Sequence, residues 1–298
     1  MTDDQHGQQT RRLAAALEPF AGQVYFSPEC HAAYEALGFA GSPHTGDQGL
    51  ALPDGAAYFT SRGSILGQVP GTVVAAAFGV FNPVVVVAGV SAGWALTDAT
   101  TIAAARDRGA IGQLSRVLGE HPDGIERGVE LLTRATDGLR PEGRALYAGL
   151  TALPLPDSPL GTAWRLADML REYRGDSHTA AWISAGLDAV EIGLLSELYW
   201  GLPMRSYIRT RAWSESELDA AQERLAGRGL LDGAGFSAAG RELREDVERT
   251  TDRQCLPIVR ALGDDADELI GLLQDWSGSI RAAAGYPPQG PHDLAGGR

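Results

Sequence analysis

The stretch from Trp213 to Leu243, WSESELDAAQERLAGRGLLDGAGFSAAGREL, predicts a helix, a tight hairpin and a second helix. Ser214 is a good N-cap, and Glu217 three residues on completes a capping box. Trp213 before the cap and Leu218 after it are spaced as a hydrophobic staple. Leu218, Ala221 and Leu225 then form one apolar face, which Gly227 and Gly229 bring to an end. Leu230-Leu231, the turn pair Asp232-Gly233 and Ala234 to Phe236 read as a very short two-stranded ribbon, and Ser237 caps the next helix. Helix, small wing and helix in this order make the reading half of a winged helix-turn-helix. A fold does not by itself assign a function.

The 298 residues suffice for one large or two ordinary domains with real cores. The formal net charge of −13 runs against nucleic-acid binding, which is driven by cationic side chains. All 25 basic residues are arginine. The absence of lysine excludes Schiff-base chemistry, a phosphate-loop lysine and a lysine general base. Cys30 and Cys255 stand far apart with no Cys/His metal spacing, so a reducing, cytoplasmic setting is expected. The polar N-terminus lacks a signal-peptide core. No charge occurs from Gly63 to Thr97, but Pro70 and Asn82-Pro83 interrupt that run. Buried helices joined by a break fit it better than a membrane span, and no membrane partner is expected.

Working outward, residues 1–12 read as a disordered arm and 287–298 as a flexible tail. Between them, 13–152 form an N-terminal helical, degenerate winged-helix-like half, and 153–286 a C-terminal winged-helix half. The boundary lies at LPLPDSPLG, with prolines at 154, 156 and 159. The halves echo each other: SRVLGEHPDGIERGVELL from Ser115 against VRALGDDADELIGLL from Val259, and GWALTDATTIAAAR against AWSESELDAAQER. The expected fold is therefore mainly α, with tandem, duplicated winged-helix-like halves and a short β-wing in the second. One chain would then be a monomeric pseudo-dimer, the alternative being a homodimer. Leu160 to Arg171 and Ser177 to Trp200 read as separate helices. Gly201 to Arg211 reads as the first helix of the reading pair.

Arg205, Arg209, Arg224 and Arg228 are the candidate DNA contacts, with Arg211 beside them. Against them stand Glu215, Glu217, Asp219 and Glu223, and Glu215 and Asp219 lie in the turns that usually face base edges. Such residues suit the helix dipole and oppose phosphates. LREYRGDSH (Leu170 to His178) is the second candidate. Asp176 reads as the N-cap of a helix starting at Ser177, with Arg174 as its ion-pair partner. His178 in that first turn would have its pKa pushed down by the helix dipole, leaving a neutral imidazole able to act as base or ligand contact. Glu191 shares a face with Leu187, Leu194 and Leu198, so it reads as buried and in need of Arg171, Arg174 or His178. An interior polar site and an ordinary structural ion pair both fit these residues. Tyr58 and Arg62 stand at the edge of the uncharged run, where an arginine at the lip of an apolar cavity suits an anionic or carbonyl-bearing ligand; a surface arginine beside core aromatics is the other reading. Glu29, Cys30, His31 and Glu35 do not complete a metal set, and no nucleophile elbow, dinucleotide fingerprint or zinc-protease motif is present. No metal or cofactor is implied.

On LAGRGLLDGAGFSAAGREL and the long helix through Thr250-Thr251-Asp252, the C-terminal half resembles MarR-type winged-helix proteins. Between residues 24 and 276 the whole chain resembles an actinobacterial family of helix-turn-helix, MarR-like proteins of unassigned activity. Carrying that resemblance are Tyr25-Phe26-Ser27-Pro28-Glu29, Tyr58-Phe59 with Arg62, Phe81-Asn82-Pro83, LREYRGDSH and Arg211-Ala212-Trp213. It implies a small-molecule-binding winged-helix protein, a MarR-like ligand-responsive transcription regulator. A small apolar or anionic molecule would be oriented by Tyr58, Arg62, Arg174, His178 and Glu191, and DNA is the second partner. Two alternatives stand beside it: a winged-helix scaffold recruited as a small-molecule enzyme of specialised metabolism, with His178 or Glu191 as acid/base in an apolar pocket, and a plain protein-interaction scaffold.

Overall fold

The polar N-terminus is a helix, not a loose arm: α1 (Asp3–Gly22) packs Gln9 and Thr10 inside and sends Arg11 across to Glu245 and Asp252. Polar contacts hold this end down, so apolar periodicity gave no sign of it. The computed structural model describes residues 3–42, 50–52 and 54–287, and most of the expected tail lies outside them. Ser27 and Pro28 start α2 (Pro28–Glu35) as cap and first residue, and Asp54 caps α3 (Gly55–Gly63). The uncharged run forms α4 (Gly71–Phe78) and α5 (Pro83–Trp94), broken at Asn82-Pro83. Among the described residues no single helix is long and apolar enough to cross a membrane.

Asp98 caps α6 (Ala99–Leu118), a single helix of 20 residues. Gly109 does not break it; a Cβ there would sit 2.5 Å from the Cα of Cys30, so the glycine serves the close approach of α2. After α7 (Ile125–Thr136) and α8 (Ala145–Thr151), Ser158 and Pro159 start α9 (Pro159–Ser184), which runs 26 residues straight through LREYRGDSH. Asp176 is therefore mid-helix rather than a cap. Its carboxylate accepts instead from the Tyr147 amide of α8, at 3.0 Å.

Gly186, at φ 71°, ends that helix, and Asp188 with Glu191 forms a capping box for α10 (Ala189–Tyr199). This α10 is the first helix of the reading pair. Gly201 to Arg211, expected to be that helix, lie instead in an irregular strap over residues 200–213 with one 3-10 turn at Ile208–Arg211. The predicted capping box at Ser214 and Glu217 opens α11 (Glu215–Gly227). The wing pairs β1 (Leu231–Asp232) with β2 (Gly235–Phe236), so the two-residue turn is Gly233-Ala234, one position later than expected. Ser237 then caps α12 (Ala238–Leu262), and α13 (Ala266–Ala282) follows.

Two cores result. The larger takes residues from both sides of the 153–158 linker, Phe20 and Leu132 packing in the same cluster as Trp164, Leu269 and Trp276. The smaller holds Trp182, Leu194, Ile208, Leu218, Leu225 and Val247 beneath the wing. Both α9 and α12 contribute to each core, so two continuous helices join the body to the reading half. Wing and α12 meet at Gly240, where a Cβ would lie 1.9 Å from the Leu230 carbonyl oxygen. Among the described residues a wing follows α11 only.

Candidate ligand-binding site

Buried helices are usually apolar all round, yet α9 carries Arg165, Asp168, Glu172, Asp176 and Ser177 in the interior. Buried charges require partners. Arg106 of α6 pairs with Asp168 at 2.8 Å, and Asp107 takes Arg165 at 2.5 Å. Next along the helix, Glu172 accepts both arms of the Arg62 guanidinium at 2.9 and 2.8 Å, a bidentate fork of the strong kind. Arg171 joins Glu172 at 3.0 Å and Glu18 of α1 at 2.9 Å. The Tyr58 hydroxyl accepts from Arg62 at 3.2 Å, and Tyr25 donates to Glu172 at 3.4 Å. Burial pushes the Glu172 carboxyl up, but the charges of Arg62 and Arg171 outweigh it and hold the group at about 2.

One turn further, α9 faces α12. Arg174 reaches Glu248 at 3.0 Å and Asp252 at 2.9 Å, in place of the expected Asp176. Arg244, 2 % exposed, joins Glu248 at 2.7 Å and lies over the Tyr199 ring at 4.3 Å. Glu248 is likewise held at about 2: burial raises it, and Arg244, His178 and Arg174 lower it further. His178 Nδ1 lies 3.1 Å from Thr251 Oγ1 and 3.8 Å from Glu248. Its pKa falls to about 4, the direction expected, but the cause is burial rather than a helix terminus. Thr251 donates its own hydroxyl proton to Val247 O, so it accepts from His178. The neutral ring thus carries its proton on Nδ1 and leaves Nε2 as a bare acceptor.

Between these clusters lies a cleft of ≈ 490 Å³, walled by α1, α3, α9, α12 and the start of the strap. Its charged lining is four arginines (62, 171, 174 and 244) against three glutamates (18, 172 and 248). Leu13, Leu17, Leu170, Ile258 and Trp200 supply the apolar wall. Size, apolar surface and a few converging polar groups are what small-molecule sites share. Of the expected ligand residues, Arg62, Arg174 and His178 meet here, with Tyr58 directly behind Arg62. Glu191 does not: it caps α10 and pairs with Arg224 at 3.1 Å and Arg228 at 3.4 Å, in the smaller core. Glu18, Glu172, Arg244 and Glu248 were not foreseen as site residues. For Glu172, Arg244 and Glu248 the signal was the four-residue spacing of Asp168-Glu172-Asp176 and Arg244-Glu248-Asp252, which puts charges on a face that is otherwise buried; Glu18 gave none.

The reading half is different. Arg205 pairs with Asp219 at 2.7 Å and Glu215 at 3.6 Å, and Arg209 with Glu215 at 3.6 Å. Arg224 meets Asp188 at 2.5 Å as well as Glu191, and Arg228 also donates to the Gly186 carbonyl. Each of the four candidate DNA contacts is therefore occupied by a carboxylate on α10, α11 or the turn before α10. No group of three or more His, Cys, Asp or Glu among the described residues is arranged to hold a metal ion.

Residues 10–287 match the Helix-turn-helix family, and the chain belongs to it. Members of this fold class commonly serve as DNA-binding regulators. No curated protein and no solved structure matches the chain significantly.

Proposed function

Starting from membership of a helix-turn-helix family, we propose that this protein is a MarR-like, ligand-responsive regulator whose effector is a small molecule held in the cleft between α1, α9 and α12. The observation that carries this reading is the cleft itself: ≈ 490 Å³ lined by four arginines and three glutamates together with Leu13, Leu17, Leu170, Ile258 and Trp200. A core built for stability alone gains little from ion pairs, because desolvation offsets most of their attraction. Output is through α11 and the wing. There the arginines exchange their carboxylate partners for phosphates, so DNA affinity falls steeply with salt.

Two measurements test this. Mass spectrometry of small molecules released on denaturing the purified protein is expected to find one dominant species, absent from an Ala14→Trp variant that fills the cleft. Selection of DNA fragments at low salt is expected to enrich a sequence. A protein that carries nothing, with a cleft indifferent to Ala14→Trp, overturns the ligand half; no retained DNA overturns the regulator half.

One observation favours a second reading, an enzyme. His178 lines the cleft as a neutral imidazole with Nε2 unprotonated, the state a general base needs. If the released molecule is a substrate, His178→Gln stops its turnover while leaving its binding in place.

A further inference from the structure

We propose that residues 200–213 form a two-position strap that couples occupancy of the cleft to the placement of α11. This rests on the reading of the cleft as a ligand site and names how that site is heard by the reading half.

One end of the strap is in the cleft and the other is the cap of α11. Trp200, 44 % exposed, lines the cleft and meets the Tyr207 ring edge-on at 5.4 Å. The Tyr207 hydroxyl accepts from Arg211. The Arg211 guanidinium lies between the rings of Tyr207 at 4.6 Å and Phe81 at 4.5 Å. Its carbonyl accepts from the Asn82 amide at 2.9 Å, and Trp213 donates to the Val80 carbonyl at 3.0 Å. The next residue, Ser214, caps α11. Ile208 is buried in the smaller core against Gly193, so a shift of the strap is delivered to the reading half and not lost in solvent.

The strap is also poised rather than relaxed. Of the three non-glycine residues at positive φ among the described residues, Arg205 (68°) and Ala212 (61°) lie within it. Side-chain-bearing residues adopt this region only when their surroundings impose it, and such positions cluster in switch segments. At Arg205 the constraint comes from one carboxylate, and at Ala212 from the bonds of Arg211 and Trp213 to Asn82 and Val80. Glu197, fully buried on α10, takes the Arg205 amide on Oε2 and the Ile208 amide on Oε1, each at 2.6 Å. In this proposal the Glu197 latch is the bond that opens and closes, the other contacts keeping the strap tied to the reading half, and a molecule contacting Trp200 favours the latched position.

The experiment is hydrogen exchange by mass spectrometry on the full chain, with 8-anilinonaphthalene-1-sulfonate as probe and Ala14→Trp as the cleft-blocked control. With the probe bound, amides 201–213 and the first turn of α11 are expected to exchange at least threefold more slowly, with no change in Ala14→Trp. Ala212→Gly, which relieves the backbone, is expected to slow the same amides without probe. Glu197→Gln, which cannot accept from both amides, is expected to speed them. Probe binding that Ala14→Trp abolishes, together with unchanged exchange over 201–213, overturns the strap and leaves the ligand site standing. Exchange unaffected by both Ala212→Gly and Glu197→Gln overturns it as well. Failure of the ligand site itself reads out separately, as probe binding that Ala14→Trp does not alter.

Discussion

Two clusters of four arginines sit on this molecule, and they do opposite things. Arg62, Arg171, Arg174 and Arg244 stand at the wall of a cleft, half-buried or buried, on Glu172 and Glu248, whose side chains are only 1 % and 12 % exposed. Arg205, Arg209, Arg224 and Arg228 lie nearer the surface of the reading half, from 24 % exposed at Arg205 to 61 % at Arg209, paired with acidic neighbours. Exposed pairs contribute little to stability, are screened by salt and exchange partners freely. Desolvated pairs are the reverse: once one partner is gone, the other is stranded in a medium that cannot solvate it. The interior cluster is therefore committed to this architecture, and the exterior one is available for exchange.

The largest break in that contrast comes from removing an interior carboxylate. Glu172→Leu strands Arg62 and leaves Arg171 with Glu18 alone, and chemical denaturation is expected to show a loss of about 3–5 kcal/mol. A loss below about 1 kcal/mol, the value of a surface pair, erases the distinction. Acid titration is next. Glu172 and Glu248 are both held at about 2 in the folded protein against an ordinary value near 4.5, so their stabilisation is present above pH 4.5 and is lost as pH falls toward 2. Glu248→Gln should flatten that part of the curve of stability against pH.

Between pH 6.5 and 4 a different group acts. His178 resists protonation when folded, so stability declines as pH falls through that window and levels off below 4. Asp176, raised by burial to about 6, works the other way over much of the same range, binding its proton more readily when folded. The net slope is consequently shallow. Subtracting the curve of His178→Asn from that of the parent isolates the histidine, and a flat difference would remove it from the buried network. At the surface, Glu215→Gln with Asp219→Asn releases Arg205 and Arg209. DNA retention at low salt is expected to rise by about tenfold, with a steeper salt dependence. The smallest effect belongs to Arg224→Met, under about 1 kcal/mol by thermal unfolding, because its partners are solvated or keep Arg228.

Much of the reading half was legible because its signals are local. The caps at Ser214 and Ser237, the wing and the apolar face of Leu218, Ala221 and Leu225 each rest on residues within a few positions of one another. LREYRGDSH shows where such reasoning stops. Gly175-Asp176-Ser177 has the composition of a break and a cap, yet α9 passes through it because Tyr147 and Arg62 donate to its carboxylates from other elements, and Glu248 and Thr251 accept from its Arg174 and His178. Glu191, expected to pair with Arg171, Arg174 or His178 of α9, pairs instead with Arg224 and Arg228 at the end of α11. His178 has the expected neutral state for a reason that no neighbour in sequence could supply.

By itself, then, the sequence determined the helical class, the caps at Ser214 and Ser237, the helix, short ribbon and helix of the C-terminal half and the conflict of its charges with DNA, since these depend on spacing along the chain. Only the tertiary structure decided that charges from α1, α3, α9 and α12 surround one cleft, and that the reading-half arginines are occupied by carboxylates. Pairing of charges is set by distance and by exclusion of water, and both exist only once helices far apart in sequence have packed.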